Sequence, residues 1–554
     1  MPVLKGLSVS GGIAAGPVLL LRQSADAPAP RRTENPEAEL VLLRDAVSVA
    51  KTQLERLYRA APSACGEESS AIFEIQSIML EDEDFIECLE GTVLGGRMSA
   101  DYAVFATGRR FMEQLRQTGD EYMAGRAADV DDLSRRLIGI LRGEGDGAPA
   151  ELKRPVIVAA EELLPSQTVR LDKRMVLGFV SRCGAMNSHA SILARSLGIP
   201  AVSELGEGFY SLVDGEEIIV DGEDGAVVRY ATPETRARYD QKRRELCREK
   251  RRLHKLSKMP SVTKDGVTVE LMANIGRPDE AAAALAQGAE GIGLFRSEFL
   301  YFEGDDPPSE QSQFEAYRQV LRDMAPRRVV IRTLDLGADK QAPCLRMADE
   351  RNPAMGYRAI RVCLDLTDIF KTQLRALLRA SAYGRLAIML PMITCVEEVR
   401  GALRLLEEVR CDLRAAAVPF SDQIELGVMI ETPAAVVMAD KLAETADFFS
   451  IGTNDLIQYT FAADRTNARM RYLHDLSAPA ILRMIRHVVR EAHMRGRRVG
   501  ICGEMAADLS LLPCYIACGA DELSMSPQAV LRVREAVRGL NAADCKALCD
   551  KMLG

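Results

Sequence analysis

Residues 424–455 read IELGVMIETPAAVVMADKLAETADFFSIGTND and contain two short apolar runs separated by a helical stretch. The first run covers 424–431 and the second covers 448–454. Each run has the length of a buried strand, and the segment between them is long enough to connect two parallel strands. This stretch therefore predicts one strand–helix–strand unit of an α/β fold.

The same alternation continues along the chain on both sides of this stretch. From residue 261 onward, strand-like runs alternate with helical stretches and lie at 267–274, 291–296, 328–335, 386–393, 424–431, 448–454, 498–504 and 522–526. Eight such units in about 290 residues match the count and the length of a TIM (β/α)8 barrel. We therefore predict a barrel over 261–554, with functional side chains at the carboxyl ends of its strands.

Polar residues follow these apolar runs, at the predicted strand ends. The arginines are Arg296, Arg332 and Arg465, and the carboxylates are Glu431 and Asp455. Guanidinium groups bind carboxylates and phosphates through a fork of N–H donors, and two carboxylates with open water positions suit Mg²⁺. The pattern predicts a pocket for a small phosphorylated acid with Mg²⁺, and structural ion pairs around the barrel mouth are the alternative.

Cys502 lies at the end of the seventh run. A free cysteine is commonly a buried hydrophobic residue. A thiol close to arginines could instead act as an acid or a base near neutral pH. From the residues alone both interpretations of Cys502 remain open.

The first 260 residues have a different pattern, in which strand signals flank a helical segment. The helical segment, 30–143, begins with Asn35-Pro36 as a cap and first turn, and its first helix has apolar residues at spacings of three and four. Short apolar runs lie outside it at 18–21, 156–158, 175–180, 217–220 and 226–230. We therefore predict one α/β domain formed by 1–22 and 148–231, interrupted by a helical bundle.

A basic helix is predicted over 232–260, between this domain and the barrel. It has eleven Lys or Arg between Arg236 and Lys258. Such a helix could contact nucleic acid, but acids and leucines are interspersed, which favours a solvated linker. A net charge of −9 also disfavours a general nucleic-acid binder.

Composition indicates a cytoplasmic enzyme. There is no secretion-signal pattern at the start and no apolar run long enough to span a membrane. The 13 cysteines are scattered through the chain, which in this setting favours reduced thiols over disulfides.

His189 differs from the other four histidines in its surroundings. A predicted strand ending near Ser181 leads into a glycine-containing turn, and Asn187 or Ser188 can cap a helix that ends at Gly198. His189 would then lie in the first turn of that helix, where free backbone N–H groups and the helix dipole favour an anion such as a phosphoryl group. A surface histidine beside a helix cap is the alternative.

Several short motifs occur together and in one order along essentially the whole chain. They are GLS at 6–8, RAADV at 126–130, SHASILARSL at 188–197, GIGLFR at 291–296, RTLD at 332–335, ETPAA at 431–435, SIGTNDL at 450–456 and CGE at 502–504. With these motifs the chain resembles phosphoenolpyruvate–protein phosphotransferase, enzyme I of the bacterial sugar phosphotransferase system. The resemblance implies a swivelling phosphohistidine α/β domain with an inserted helical bundle, followed by the TIM barrel.

The resemblance also implies an activity and roles for individual residues. His189 would take the phosphoryl group of phosphoenolpyruvate, release pyruvate, and pass the group to a histidine of the phosphocarrier protein in the first step of sugar phosphotransfer. The implied substrate-binding residues are Arg296, Arg332, Arg358, Asn454 and Arg465. Glu431 and Asp455 would bind Mg²⁺, and Cys502 would protonate the enolate.

Two partners follow from the same resemblance. The helical bundle would dock the histidine-containing phosphocarrier protein, with Glu67, Glu68, Ile72 and Met79 as candidate contacts. The barrels would form a homodimer.

Two other functions would use many of the same residues. A pyruvate phosphate dikinase or phosphoenolpyruvate synthase also needs an ATP-grasp module, for which no segment is left, and no GxxxxGK[ST] loop is present. A protein that senses phosphoenolpyruvate without turnover would not need His189, Cys502 and both metal-binding carboxylates together.

Overall fold

The computed structural model contains two compact units, Met1–Arg248 and Glu249–Gly554. It describes residues 2–21, 28–65, 73, 76–117, 121–143, 154–163, 167, 171–183, 191, 194–195, 198–302, 306–337, 343–345, 347, 350, 352–464, 467–470, 472–473 and 478–553. Among the helices of these residues, none combines the length and apolar character that a membrane span requires.

The first unit contains an eight-stranded mixed sheet. Its strands are β1 (Val3–Lys5), β2 (Leu7–Ser10), β3 (Ile13–Leu21), β4 (Val156–Ala160), β5 (Val176–Ser181), β6 (Ala201–Ser203), β7 (Glu217–Asp221) and β8 (Ala226–Arg229). They are arranged in the order β1-β8-β7-β3-β4-β5-β6-β2. Strands β3 to β6 are parallel, and the remaining pairs are antiparallel. Every residue of β4 is buried, as expected for a strand with both faces covered.

A helical bundle lies between β3 and β4 in the sequence. Its helices are α1 (Pro36–Cys65), α2 (Glu83–Leu94), α3 (Ala100–Gln117) and α4 (Glu121–Leu141). The side chain of Asn35 accepts a hydrogen bond from the backbone N–H of Ala38 at 3.2 Å, which is the predicted cap of α1. Leu43 and Leu54 of the predicted apolar seam are buried in the core of the bundle. Helix α5 (Pro233–His254) follows the sheet.

The second unit is a closed barrel of eight parallel strands, so the predicted TIM barrel is confirmed. Its strands are β9 (Glu270–Ile275), β10 (Ile292–Arg296), β11 (Arg328–Arg332), β12 (Arg385–Leu390), β13 (Glu425–Ile430), β14 (Phe448–Gly452), β15 (Arg498–Cys502) and β16 (Glu522–Met525). The surrounding helices are α6 (Glu280–Ala286), α7 (Glu310–Met324), α8 (Ile360–Asp365), α9 (Thr367–Ala380), α10 (Val396–Ala415), α11 (Pro433–Val437), α12 (Ala439–Leu442), α13 (Thr453–Phe461), α14 (Ala478–His493), α15 (Leu512–Cys518), α16 (Val530–Gly539) and α17 (Ala542–Leu553).

Alternate residues of each barrel strand face opposite sides, because side chains of a strand have a period of two. One set, which includes Val329 and Ile331 of β11, packs with the helices in the main core. The other set forms a separate apolar cluster inside the barrel: Leu294, Val330, Ala387, Met389, Met429, Phe448 and Cys502. Arg328, Val330 and Arg332 of β11 therefore project inward at successive levels.

The amino-terminal end of the barrel interior is closed by a group of charged side chains, of which Arg328 and Glu522 are buried and Glu425 is half-buried. Arg328 pairs with Glu522 at 3.0 Å and with Glu425 at 2.8 Å. Its guanidinium carbon also lies 4.2 Å from the centroid of the Phe448 ring, a cation–π contact. Each charge in this group has an opposite charge nearby. Because the group fills the amino-terminal end of the interior, we expect chemistry at the carboxyl end.

Candidate active site

Two arginines at the carboxyl end of the barrel are held by buried carboxylates. Arg332, the last residue of β11, donates from Nε and Nη2 to Glu298 Oε1 at 3.1 and 2.7 Å. Arg358 lies in the loop before α8, and its Nε and Nη2 donate to the two oxygens of Asp335 at 2.9 and 3.1 Å. Asp335 also pairs with Arg332 at 2.9 Å, so one carboxylate connects both guanidinium groups.

The backbone brings Arg358 to Asp335 through a close approach of two loops. Gly337 has a φ of +119°, and a Cβ added there would lie 2.5 Å from the carbonyl oxygen of Tyr357. The N–H of Ala359 also donates to the carbonyl of Leu336 at 2.9 Å. The loop after β11 thus needs glycine at 337 for the neighbouring loop to approach closely enough for this ion pair.

Glu431 and Asp455 follow the adjacent strands β13 and β14. Glu431 follows β13, is 1% exposed, and accepts a hydrogen bond from the N–H of Met392 at 2.6 Å. Asp455 lies in the first turn of α13, directly after β14, and pairs with Arg358 at 3.2 Å. A Cβ at Gly452 would lie 2.8 Å from Glu431 Oε2, so glycine at 452 leaves room for this carboxylate.

The charge balance at this end of the barrel is suited to a divalent cation. Burial and the neighbouring Asp455 and Asp335 raise the pKa of Glu431 to about 8, although Arg332 and Arg358 act in the opposite direction. Near neutral pH the Glu431 carboxyl therefore mostly retains its proton, and the charges of Glu298, Asp335 and Asp455 equal those of Arg296, Arg332 and Arg358 at the described part of the rim. A cation beside Glu431 and Asp455 would lower the pKa of Glu431 and take the place of that proton.

The donor count at the rim is also informative about the kind of metal. Within the part of the chain that the structure describes, no group of three or more His, Cys, Asp or Glu side chains is arranged to hold a metal ion. Mg²⁺ does not need such a group, because it commonly binds through one or two carboxylates plus water and substrate phosphate oxygens. The pair Glu431 and Asp455 fits that pattern.

Cys502 is the last residue of β15 and faces the barrel interior. It is 2% exposed and packs in the inner cluster with Met389 and Met429. Burial raises the pKa of the Cys502 thiol to about 11, against a lowering effect of the hydrogen bond with Ser450. Near neutral pH this side chain is therefore a protonated thiol, at the carboxyl end of the barrel interior.

The other sequence-predicted side chains divide into two groups. Arg296 ends β10 with an exposed side chain, and Asn454 lies beside Asp455 in the first turn of α13 with a half-buried one. The structure thus brings Arg296, Arg332, Arg358, Glu431, Asn454, Asp455 and Cys502 to the carboxyl ends of the barrel strands. His189, Arg465, Glu67, Glu68 and Ile72 lie outside the described residues, and the half-buried Met79 packs against the core of the bundle.

Two carboxylates of this site, Glu298 and Asp335, were assigned no role from the sequence. Glu298 lies two residues after Arg296, and Asp335 lies three residues after Arg332. They are buried and hold the arginines in place. The available signal was an acidic residue within three positions of an arginine at the end of an apolar strand.

Comparison with known families agrees with this description of the barrel and its rim. Residues 250–542 match the PEP-binding domain of PEP-utilising enzymes, where PEP is phosphoenolpyruvate. Residues 5–126 match the N-terminal domain of the same enzymes, and residues 152–225 match their mobile domain. Fold and site thus define a PEP-utilising enzyme.

Curated relatives narrow the class to one family. The chain is 43% identical over 551 residues to the phosphoenolpyruvate-protein phosphotransferase of Geobacillus stearothermophilus, covering 99% of this chain and 95% of that protein. It is 40% identical over 553 residues to the protein of the same name from Bacillus subtilis, covering 100% and 97%. The chain belongs to the phosphoenolpyruvate–protein phosphotransferase family.

Proposed function

We propose that this chain transfers the phosphoryl group of phosphoenolpyruvate to His189 and then to a histidine of a phosphocarrier protein, the first step of a sugar phosphotransferase system. The observation that carries the proposal is the buried array in which Asp335 joins Arg332 to Arg358 beside Glu431 and Asp455. Fixed guanidinium forks next to two carboxylates suit a substrate that has both a phosphate and a carboxylate.

The substrate is bound by the cations and the amide at the rim: Arg296, Arg332, Arg358, Arg465 and Asn454. An imidazole nitrogen of His189 attacks phosphorus, the bond from phosphorus to the enol oxygen breaks, and the electron pair leaves with the enolate. Catalysis of this step depends mostly on positioning and on stabilising the charge of the transferred group. Arg332 and Arg358 are pre-oriented for this task because buried carboxylates fix their guanidinium planes.

Glu431 and Asp455 would hold Mg²⁺. When bound, the ion would supply a positive charge to the phosphoryl oxygens and draw off charge that develops during transfer. Asp455 Oδ1 accepts from Arg358 Nη1 at 3.2 Å, and this contact holds the carboxylate at the rim.

Removal of a metal-binding carboxylate tests this assignment. We expect Asp455→Asn to lower kcat/KM for phosphoenolpyruvate by about 100-fold or more, because charge stabilisation of this kind is typically that large. A coupled assay of pyruvate release over a range of Mg²⁺ concentrations measures the effect. The matched control is Glu425→Gln, which removes a carboxylate from the opposite end of the barrel, where Glu425 pairs with Arg328. Equal losses in the two variants would argue against a metal role for Asp455.

The enolate then takes a proton at its methylene carbon from the Cys502 thiol and becomes pyruvate. The inward position of Cys502 at the rim supports this role, because a donor must lie within the pocket that holds the enolate. The resulting thiolate regains a proton from water once pyruvate has left.

We expect Cys502→Ser to slow pyruvate formation by about 100-fold or more, since a serine hydroxyl is a much weaker acid and general acid catalysis contributes at least that much. Steady-state pyruvate release measures this, with Cys514→Ser, a buried thiol on α15, as the control. An unchanged rate in Cys502→Ser would remove the proton-donor role.

We also propose that each segment of the chain has a separate role. The α/β domain of 1–22 and 148–231 carries His189 and swivels about the linker helix of 232–260, while the barrel of 261–554 binds substrate and forms a homodimer. The bundle of 30–143, which has its own apolar core, docks the phosphocarrier protein through Glu67, Glu68, Ile72 and Met79.

Sedimentation of the full chain tests the dimer, and titration of an acceptor protein into a Met79→Ala variant tests the docking surface.

A further inference from the structure

A polar side chain lies on the apolar face of helix α9. Phe370, Leu374 and Leu377 of this helix pack into the core of the barrel, and Gln373 lies among them with 0% exposure. Burying an amide is costly unless each of its polar atoms finds a partner. The partners of Gln373 therefore indicate why an amide occupies this position.

The Gln373 amide makes three hydrogen bonds. Its Oε1 accepts from the backbone N–H of Leu334 at 3.0 Å. Its Nε2 donates to the hydroxyl of Ser297 at 3.1 Å and to the hydroxyl of Tyr317 at 3.1 Å. The direction of the amide is fixed, because the N–H of Leu334 is only a donor and must face the oxygen.

These contacts continue to the backbone of the substrate-binding arginine. The Ser297 hydroxyl accepts a hydrogen bond from the Gln373 amide and donates one to the carbonyl oxygen of Arg332 at 2.8 Å. Gln373 thus holds Leu334 directly and Arg332 through one hydroxyl. Ser297 is also the residue between Arg296 and Glu298, which is the carboxylate that pairs with Arg332.

We infer that Gln373 is a positioning residue for phosphoenolpyruvate: it sets the strand ends that carry Arg296 and Arg332, and through Leu334 the neighbouring Asp335. This rests on the proposed function. The amide itself does not line the pocket. It acts by fixing two backbone segments whose side chains do, and displacements of about 1 Å at such groups can cost about 100-fold in rate.

The amide can be replaced in two ways that have different physical effects. Gln373→Leu removes all three hydrogen bonds with a side chain of similar size. Gln373→Glu keeps the acceptor for Leu334, but its second oxygen accepts rather than donates, so the hydroxyl of Ser297 turns towards the carboxylate and away from the Arg332 carbonyl. Leu378→Val is the matched control, because Leu378 is equally buried on the same helix and belongs to the apolar core.

The test is the KM for phosphoenolpyruvate, the KM for the acceptor protein and kcat for each variant. We expect both Gln373 variants to raise the KM for phosphoenolpyruvate about tenfold or more and leave the KM for the acceptor unchanged, whereas Leu378→Val changes neither. The increase in melting temperature caused by phosphoenolpyruvate should be smaller in the Gln373 variants, which gives a readout independent of turnover.

A purely structural role for Gln373 predicts a different set of results. A phosphoenolpyruvate KM within twofold of wild type in both Gln373 variants would overturn the inference, as would a parallel rise in both KM values. Should Gln373→Leu fail to fold, Gln373→Glu and Ser297→Ala decide the question by the same criteria, because Ser297→Ala removes the hydroxyl that connects Gln373 to Arg332. A wild-type chain that does not turn over phosphoenolpyruvate would instead refute the proposed function.

Discussion

Replacing His189 with alanine should abolish the formation of phosphoprotein from phosphoenolpyruvate, and with it the labelling of any acceptor protein. The proposed reaction needs a neutral nitrogen nucleophile, and His189 is the residue to which we assign that role. Incubation with phosphoenolpyruvate labelled in its phosphoryl group, followed by gel separation under alkaline conditions that preserve phosphohistidine, measures the effect.

The control for this experiment is His254→Ala, which removes a histidine from the last turn of α5. We expect wild-type labelling in this variant. If His189→Ala still forms an acid-labile phosphoprotein, the phosphoryl group is carried elsewhere and the proposed function needs a different nucleophile.

Changing Arg332 to lysine should lower kcat/KM for phosphoenolpyruvate by about 1,000-fold, because a single ammonium cannot reproduce a fork that donates to Glu298 and Asp335 beside the proposed substrate pocket. Steady-state kinetics with saturating acceptor protein measures this loss. The barrel supplies a close control on the same strand: Arg328 also faces inward from β11, but at the closed end, where it pairs with Glu425 and Glu522.

Arg328→Lys should reduce thermal stability and leave kcat/KM within a few-fold of wild type. The two substitutions are chemically identical and four residues apart, so only their level in the barrel differs. Similar kinetic losses in both variants would mean that Arg332 acts through the stability of the barrel rather than on the substrate.

The barrel could be predicted from sequence because its strands are continuous apolar runs separated by helical stretches. Residues 424–431 and 448–454 correspond to β13 and β14 within a few positions. The sheet of the first unit was predicted less completely: β1, β2 and β6 are three or four residues long and lack a long apolar run. Such short strands exist through pairing with distant partners, as in β2 with β6, and sequence periodicity cannot show that pairing.

The position of several polar residues at the ends of barrel strands was predictable, but their connections were not, and neither were the roles of Glu298 and Asp335. The position of Glu431 or Arg332 after an apolar strand is visible in the sequence, since parallel strands bring their carboxyl ends to one rim. That Asp335 joins two arginines depends on a loop-to-loop approach at Gly337, which no local pattern encodes. The sequence contains one indication of the role of Gln373: it is a polar residue at a helix position where the apolar spacing predicts an apolar one.

The charged group of Arg328, Glu425 and Glu522 closes the amino-terminal end of the barrel. The inner apolar cluster fills the barrel above this group. The barrel interior is therefore accessible only from its carboxyl end, and we expect pyruvate to leave from the same end at which phosphoenolpyruvate binds. Accumulated pyruvate should consequently act as a competitive inhibitor with respect to phosphoenolpyruvate. Each turnover then requires release of pyruvate before the next substrate molecule can bind.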